Sequence, residues 1–425
     1  MTLQQPPAAT GLPESRCSAN GGVEATARKL LAYCRENDWA GYDPYDALNS
    51  GLFKALPLLD SRLPRLALTQ ILKRSPVDFR RLALVPKTQN PKAMALFLAA
   101  LLKLPDAVVG GREDLIRYMI DRLVALRSSG ISYWSWGYSF PWQGRSILVP
   151  AGAPNLVCTT FVAGALLDAY EQHANDQQRD QRCLTMAVGA AEYILDELYW
   201  ADGAKAGFSY PMPGLRGETH NANLLAAALL CRVYKHTGEK KFQEAALRVA
   251  RQAVGKQQPD GSWFYGEHPS QRWIDNFHTG YNLGALRSIG CDLGTDEFDA
   301  SMRSGFEFYR ANFFREDAAP KYFHNRVYPL DIHCVAQSII TLLAFQDLDS
   351  TNIELARRVF RWALTNMWDE RGFFYYRVLR LCTIRTSYMR WSQAWMLLAL
   401  SRLLGVSNPV ERRPAQNRET LVNAC

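Results

Sequence analysis

The sequence predicts an all-α protein, an (α/α)6 toroid built from six helical hairpins as an inner and an outer ring, with short hairpin-like turns at the funnel mouth. Three observations predict it. Six times, a stretch rich in aromatic, glycine and polar residues runs into an apolar, small-residue helical pattern; these runs begin at Pro91, Leu156, Asn221, His278, Ile332 and Tyr388, 54 to 65 residues apart. A more charged helical pattern precedes each, over 23–37, 113–129, 182–200, 242–257, 299–313 and 354–368. No strand pattern or Pro/Ser/Gly linker interrupts the period. Units of that length and kind cannot bury their apolar faces alone and must stack on one another.

The patterns assign each helix a place. The charged ones, such as QEAALRVARQAV and RRVFRWALTNMW, keep Arg, Glu and Gln on one face and belong outside. The apolar ones, from PKAMALFLAALLKL through LVCTTFVAGALLDAY to YMRWSQAWMLLALSRLLG, are apolar nearly all round and belong inside. An open solenoid would need polar caps at its ends. A closed ring instead packs the first outer pattern, 23–37, against the last inner run, which ends near Leu404. One toroid domain is therefore expected over 23–406, between a disordered lead at 1–22 and a flexible tail at 407–425.

Composition narrows the function. Hydrophobic residues make up 48% and charged residues 21%, globular values. No apolar run reaches the roughly 18 residues of a membrane span, and the N-terminal stretch has neither the basic start nor the apolar core of a secretory signal. The net charge is +8, but Arg is spread over the outer helices instead of forming a stripe, so nucleic acid is not an expected partner. The nine cysteines are scattered without a Cys-x-x-Cys pair and read as reduced thiols of a cytoplasmic protein. Only His333 and Cys334 are adjacent candidate ligands, and neighbours on a helix diverge by about 100°; no metal or other cofactor is expected.

The segments joining outer to inner helices, 41–50, 131–146, 199–223, 260–282, 321–334 and 368–393, converge on one end of a closed ring. Trp and Tyr are concentrated there among Asp, Glu, His, Asn and Arg. Flat rings that stack on C–H faces beside polar groups that address hydroxyls suit a sugar. Trp136, Trp142, Asn221, Trp263, Trp273, Tyr281, Tyr388, Arg390 and Trp391 are the expected substrate contacts. Asp202-Gly203, Asp260-Gly261 and Glu370-Arg371-Gly372 read as turns of short hairpins.

The phrases WIDNFHTGY (273–281) and YMRWSQAWM (388–396), with DGSWFYGE and WDERGFFYYR before the inner runs, resemble the six-hairpin glycosidase-like superfamily, and most narrowly the VpsJ-type proteins of bacterial exopolysaccharide synthesis. The resemblance covers about 25–405. It implies the toroid and a role in surface-polysaccharide biosynthesis, acting on an oligosaccharide, a polysaccharide or a lipid-linked glycan. It transfers no catalytic residue.

Candidates come from the residues themselves. An acid and a histidine stand two or three positions apart at three inner-helix starts: Glu218 with His220, Asp275 with His278, and Asp331 with His333. Asp275 and Asp331 are also expected helix caps. A glycoside hydrolase would draw two carboxyls from Glu218, Asp275 and Asp331, and this mechanism is favoured slightly. A uronate epimerase or lyase would use His278, Tyr281, His333, Tyr388 and Arg390 to move a proton beside a carboxylate. A non-catalytic glycan-binding toroid is a third reading. Terpenoid cyclization, suggested by QQPDGSW (257–263), lacks an acid or metal motif: the run Asp347 to Ser350 falls one carboxylate short.

Overall fold

The computed structural model describes residues 19–56, 60–144, 147–172 and 180–407. Ala19–Glu36 (α1) is followed by two short insertion helices, Gly51–Ala55 (α2) and Arg62–Arg74 (α3). Next come Pro91–Leu101 (α4), Asp106–Val109 (α5), Arg112–Ala125 (α6), Leu156–Gln172 (α7), Gln181–Tyr193 (α8), His220–Thr237 (α9) and Lys240–Val254 (α10). Asn276–Leu293 (α11), Asp299–Asn312 (α12), Ile332–Ala344 (α13), Thr351–Met367 (α14) and Trp395–Ser407 (α15) complete the order, with π-helical turns at Ile194–Leu198 and Met389–Ala394. Helices α4, α7, α9, α11, α13 and α15 pack side by side in that order, and α15 packs back on α4. The inner ring is closed.

Burial follows the two sequence patterns. Every residue of α4 is buried, as a helix enclosed by neighbours requires. In α10, Phe242, Ala245, Ala246, Val249, Ala250 and Ala253 face inward while the charged residues between them stay outside. Pairing differs from the expectation in one respect. Each outer helix packs chiefly on the inner helix before it, α6 on α4, α8 on α7, α10 on α9, α12 on α11 and α14 on α13, and α1 packs on α15. Short connections make antiparallel neighbours, whereas the long aromatic segments are free to arch over the mouth.

Closure is reinforced at the seam. The Met389 N–H donates to the Tyr42 carbonyl at 3.1 Å, the backbones of Gly41 and Thr88 exchange hydrogen bonds, and the Tyr33 hydroxyl donates to Ser387 at 3.0 Å. A Cβ on Gly41 would stand 2.6 Å from Met389 Cβ, so only glycine admits this approach.

Trp142–Gln143 (β1) pairs with Leu148–Val149 (β2), and Tyr199–Asp202 (β3) with Lys205–Phe208 (β4). Leu330–Asp331 (β5), Arg377–Val378 (β8) and Thr383–Ile384 (β9) form a three-stranded patch, and Trp368–Asp369 (β6) pairs with Phe373–Phe374 (β7). Gly203 and Gly372 turn the second and last of these hairpins at positive φ, as expected from the sequence. Asp260-Gly261 makes a turn without flanking strands.

The insertion helices α2 and α3 had no counterpart among the expected elements. The lead and tail lie mostly outside the described residues, although α1 begins at Ala19 and α15 ends at Ser407. Cys34, Cys158, Cys183, Cys231 and Cys334 are buried free thiols and Cys382 is an exposed one. Among the described residues no helix is long and apolar enough to cross a membrane, and no cluster of His, Cys, Asp or Glu could hold a metal ion.

Candidate functional site

The inner helices start at the same end of the ring, and their second residues form a floor. Lys92, Val157, Asn221, Phe277, His333 and Arg390 hold that position in α4, α7, α9, α11, α13 and the π-turn leading into α15, and all six line one cavity of about 720 Å³. Tyr45, Tyr138, Tyr210, Tyr265 and Tyr322, from the arching segments, supply walls. Such a volume and lining suit a ligand of sugar size.

Asp275 and Asp331 cap their helices as expected, and Asn90 and Asn155, not anticipated, cap theirs. Asn90 accepts from Lys92 N–H, Asn155 from Cys158 N–H, Asp275 from His278 N–H at 3.0 Å and Asp331 from His333 N–H at 2.9 Å. The two aspartates then diverge. The Oδ2 of Asp275 accepts from Trp273 Nε1 at 3.0 Å and meets His278 Nδ1 at 2.7 Å. With Nδ1 carrying its proton toward the carboxylate, His278 presents Nε2 as a base, and this nitrogen has no protein partner among the described residues. Asp331 is fully buried and lies outside the cavity. Its oxygens accept from Trp391 Nε1 at 2.9 Å and from Arg377 at 2.6 and 2.7 Å.

His333 therefore pairs with something other than its sequence neighbour. Its Nε2 lies 2.6 Å from the Tyr281 hydroxyl, and its buried Nδ1 has no partner. Burial, reinforced by the positive charges of Lys92 and Arg390, pushes the imidazole well below its ordinary pKa, so it stays neutral. Burial raises the Tyr281 phenol well above its own ordinary value. The hydroxyl accordingly keeps its proton, and the direction of its hydrogen bond with Nε2 follows the His333 tautomer. The Phe277 ring separates the two histidines, 4.1 Å from His278 and 4.7 Å from His333 between centroids.

The third expected pair is absent from the cavity. The imidazole of His220 bonds Glu267 at 2.8 Å rather than Glu218, and Glu218 pairs with Lys205 at 3.0 Å. Burial lowers the His220 pKa in spite of Glu267. Of the three candidate carboxylates, Asp275 alone lines the cavity.

The expected sugar contacts divide in the same way. Trp142, Asn221, Trp273, Tyr281, Arg390 and Trp391 line the cavity. Trp273 stacks on Tyr265 with centroids 4.6 Å apart and planes 10° apart. Asn221 is buried with its carbonyl oxygen unpartnered. Trp136 and Trp263 are core residues instead, anchored by indole donation to the carbonyls of Leu123 and Ala253. Tyr388 is buried under Arg80, 4.8 Å from its ring centroid, and edge-on to Tyr376. Large apolar rings next to a packed core bury themselves there first, because that removes most area from water.

Lys92 escaped the sequence reading altogether, being one lysine in an apolar run. Its ammonium is buried with no hydrogen-bond acceptor among the described residues; the Phe161 ring lies 3.9 Å away and those of Trp395 and Tyr281 at 5.4 and 5.6 Å. Aligning the six inner runs by their caps would have found it. Asp43, also unanticipated, takes two hydrogen bonds from Arg390 at 2.6 and 2.9 Å.

No family model matches the sequence, and no curated protein matches it significantly. Solved structures do share the fold. A cellobiose 2-epimerase from Bacillus thermoamylovorans superposes with a TM-score of 0.63 at 10% identity, over 91% of this chain and 100% of that one. An unsaturated glucuronyl hydrolase specific for heparin superposes at 0.58 and 11%, over 92% and 98%. A GH76 α-mannanase from Bacteroides thetaiotaomicron superposes at 0.56 and 11%, over 75% and 86%. At these identities the likeness establishes the (α/α)6 toroid.

Proposed function

We propose that this chain is a carbohydrate-active enzyme of the epimerase type, which removes a proton from a sugar carbon next to a carbonyl or carboxyl group and returns one to the opposite face. A single observation carries the reading: two imidazole units border the cavity, whereas its one lining carboxylate, Asp275, is taken up by three protein donors. Hydrolysis of a glycosidic bond requires two carboxyls, about 5.5 Å apart or 6.5 to 9.5 Å apart. Glu218 and Asp331, held by Lys205 and Arg377, are poor partners for Asp275 in that role.

In the proposed reaction His278 Nε2 accepts the proton from carbon, and Asp275 stabilises the imidazolium through Nδ1. The electron pair left on carbon moves onto the adjacent oxygen, which the Arg390 guanidinium and the wall tyrosines stabilise by hydrogen bonding. The Tyr281 hydroxyl, on the other side of Phe277, supplies the returning proton, and His333, with its ring proton on Nε2, donates to the phenolate oxygen this leaves. Trp142 and Trp273 offer faces for the sugar rings. Sugar epimerases and uronyl-acting enzymes share the fold, which supports a sugar as the occupant. A setting in surface-glycan biosynthesis rests on the sequence resemblance alone, and a cytoplasmic one on the scattered cysteines.

The test is incubation of the wild type, His278→Gln and Tyr281→Phe with reducing oligosaccharides and uronates in D2O, followed by proton NMR. The reading expects loss of one C–H signal in the wild type and slowing by roughly 10² to 10⁴ in each variant. Release of shorter sugars without deuterium on carbon would count against it.

A further inference from the structure

We propose that Lys92, with Arg390 beside it in the ring, seats an anionic group of the substrate, so the sugar that fills this cavity carries a carboxylate or a phosphate. The inference rests on reading the cavity as a sugar site and adds the substrate's charge. Three cations line the cavity, Lys92, Arg216 and Arg390. Asp275 is its lining carboxylate, and Asp43 stands just behind Arg390. Arg390 is matched by Asp43 through Nε and Nη2, while its Nη1 donates to no described atom. Arg216 sits exposed at the rim, where water solvates it.

Lys92 has no counter-ion among the described residues. Only 3% of its surface is accessible, and three aromatic rings surround its amine. Rings offset part of the desolvation of an ammonium but supply no hydrogen-bond acceptor. A buried amine costs stability unless something pairs with it, and here the one direction left open is the cavity. Burial and the Arg390 charge also lower its pKa, so an arriving anion would restore the charged form. A neutral sugar would leave the amine and Nη1 with hydroxyls alone, whereas a carboxylate or phosphate accepts from both.

The experiment is calorimetric titration of the full chain with D-glucuronate, glucose 6-phosphate and glucose, on wild type, Lys92→Met and His278→Gln. At least one anion should bind wild type about tenfold or more tightly than glucose. Lys92→Met should erase that preference while melting no lower than wild type, and His278→Gln should keep it. Equal affinity for charged and neutral sugars, no measurable binding of any of them, or a preference that survives Lys92→Met would overturn the inference. Deuterium transfer with neutral sugars bound equally well would sink the anion seat and leave the proposed chemistry standing; an intact preference without any deuterium transfer would do the reverse.

Residues 51–56 and 60–87 carry a surface of another kind. Eight of the fourteen exposed large hydrophobic residues among those described lie here, led by Leu63 at 75% and Leu82 at 74%. Between them Lys54, Arg62, Arg74, Arg81 and Lys87 are exposed without an ion pair, while the exposed acids Asp60 and Asp78 are matched by Arg65 and Arg80. Apolar side chains interleaved with unmatched basic ones complement an anionic bilayer surface. We infer independently that this insertion docks on anionic membrane. It adjoins the cavity: Arg65 donates to Gln143 beside Trp142 at 3.2 Å, and Lys73 donates to Tyr45 at 2.7 Å. Docking there would hold the mouth near lipid-borne sugars.

Co-sedimentation with vesicles of phosphatidylcholine, alone or mixed with phosphatidylglycerol, tests it. Binding should require phosphatidylglycerol, weaken with salt, and fall about tenfold or more in Leu63→Glu/Leu82→Glu, a surface change that leaves the circular dichroism spectrum unaltered. Absence of binding, equal binding to both vesicles, or a wild-type dimer that the double variant dissociates would overturn it.

Discussion

Replacing Asp275 by Asn separates capping from chemistry. Asn caps helices about as well as Asp, and with its oxygen toward the His278 N–H the cap survives. Its amide NH2 then occupies the Oδ2 position, where Trp273 Nε1 donates at 3.0 Å and His278 Nδ1 approaches to 2.7 Å. Two donors now oppose each other at Trp273, leaving one buried group unsatisfied at about 1 to 3 kcal/mol. More important, Nδ1 of His278 must accept from the amide, which moves the ring proton to Nε2 and removes the base from the cavity. Turnover should fall roughly 10² to 10⁴-fold, measured as solvent deuterium entering a substrate, while the circular dichroism spectrum stays that of the wild type. Retention of the full exchange rate would refute the assignment of His278 as base and reduce Asp275 to a cap.

Three further outcomes are expected. Trp136→Ala and Trp263→Ala should each cost about 3 to 5 kcal/mol of stability by opening a core cavity, whereas Trp142→Ala should spare stability and weaken sugar binding by about 1 to 3 kcal/mol; chemical denaturation and titration separate the two classes. His333 and His220 have folded-state pKa values pushed below the ordinary 6.5 by burial, so the unfolded chain takes up protons first. Their stabilisation is complete above about pH 6.5 and is lost as pH falls, by up to about 1.4 kcal/mol per pH unit for each; His333→Gln should flatten melting temperature against pH between 7 and 5. Removal of residues 1–37 should abolish cooperative melting, because α15 would lose the outer helix that covers it, and a truncated chain melting unchanged would contradict closure.

The ring was legible because every inner helix must be apolar all round and every outer one amphipathic, and that contrast repeats with the period. The insertion helices escaped because they belong to no repeat. At the site, spacing of acid and histidine misled in two cases for a geometric reason. Each helical residue turns about 100° from the last, so position decides direction. His278 is third in α11 and curls back onto its cap, Asp275; His333 is second in α13 and points to the ring axis, onto Tyr281; His220 is first in α9 and points outward to Glu267. A cap and a histidine thus form a pair only at the three-residue spacing. The same rule makes the second position the floor, where it places Lys92, a residue that no local motif marks.

The account stands or falls on what the cavity does to a sugar carbon. Mass spectrometry of products formed from reducing oligosaccharides and oligouronates in D2O reads both possibilities at once. Proton transfer by His278 and Tyr281 predicts chains of unchanged length carrying one carbon-bound deuterium. Shortened chains whose carbons hold only protium would contradict it and return the site to a carboxylate mechanism.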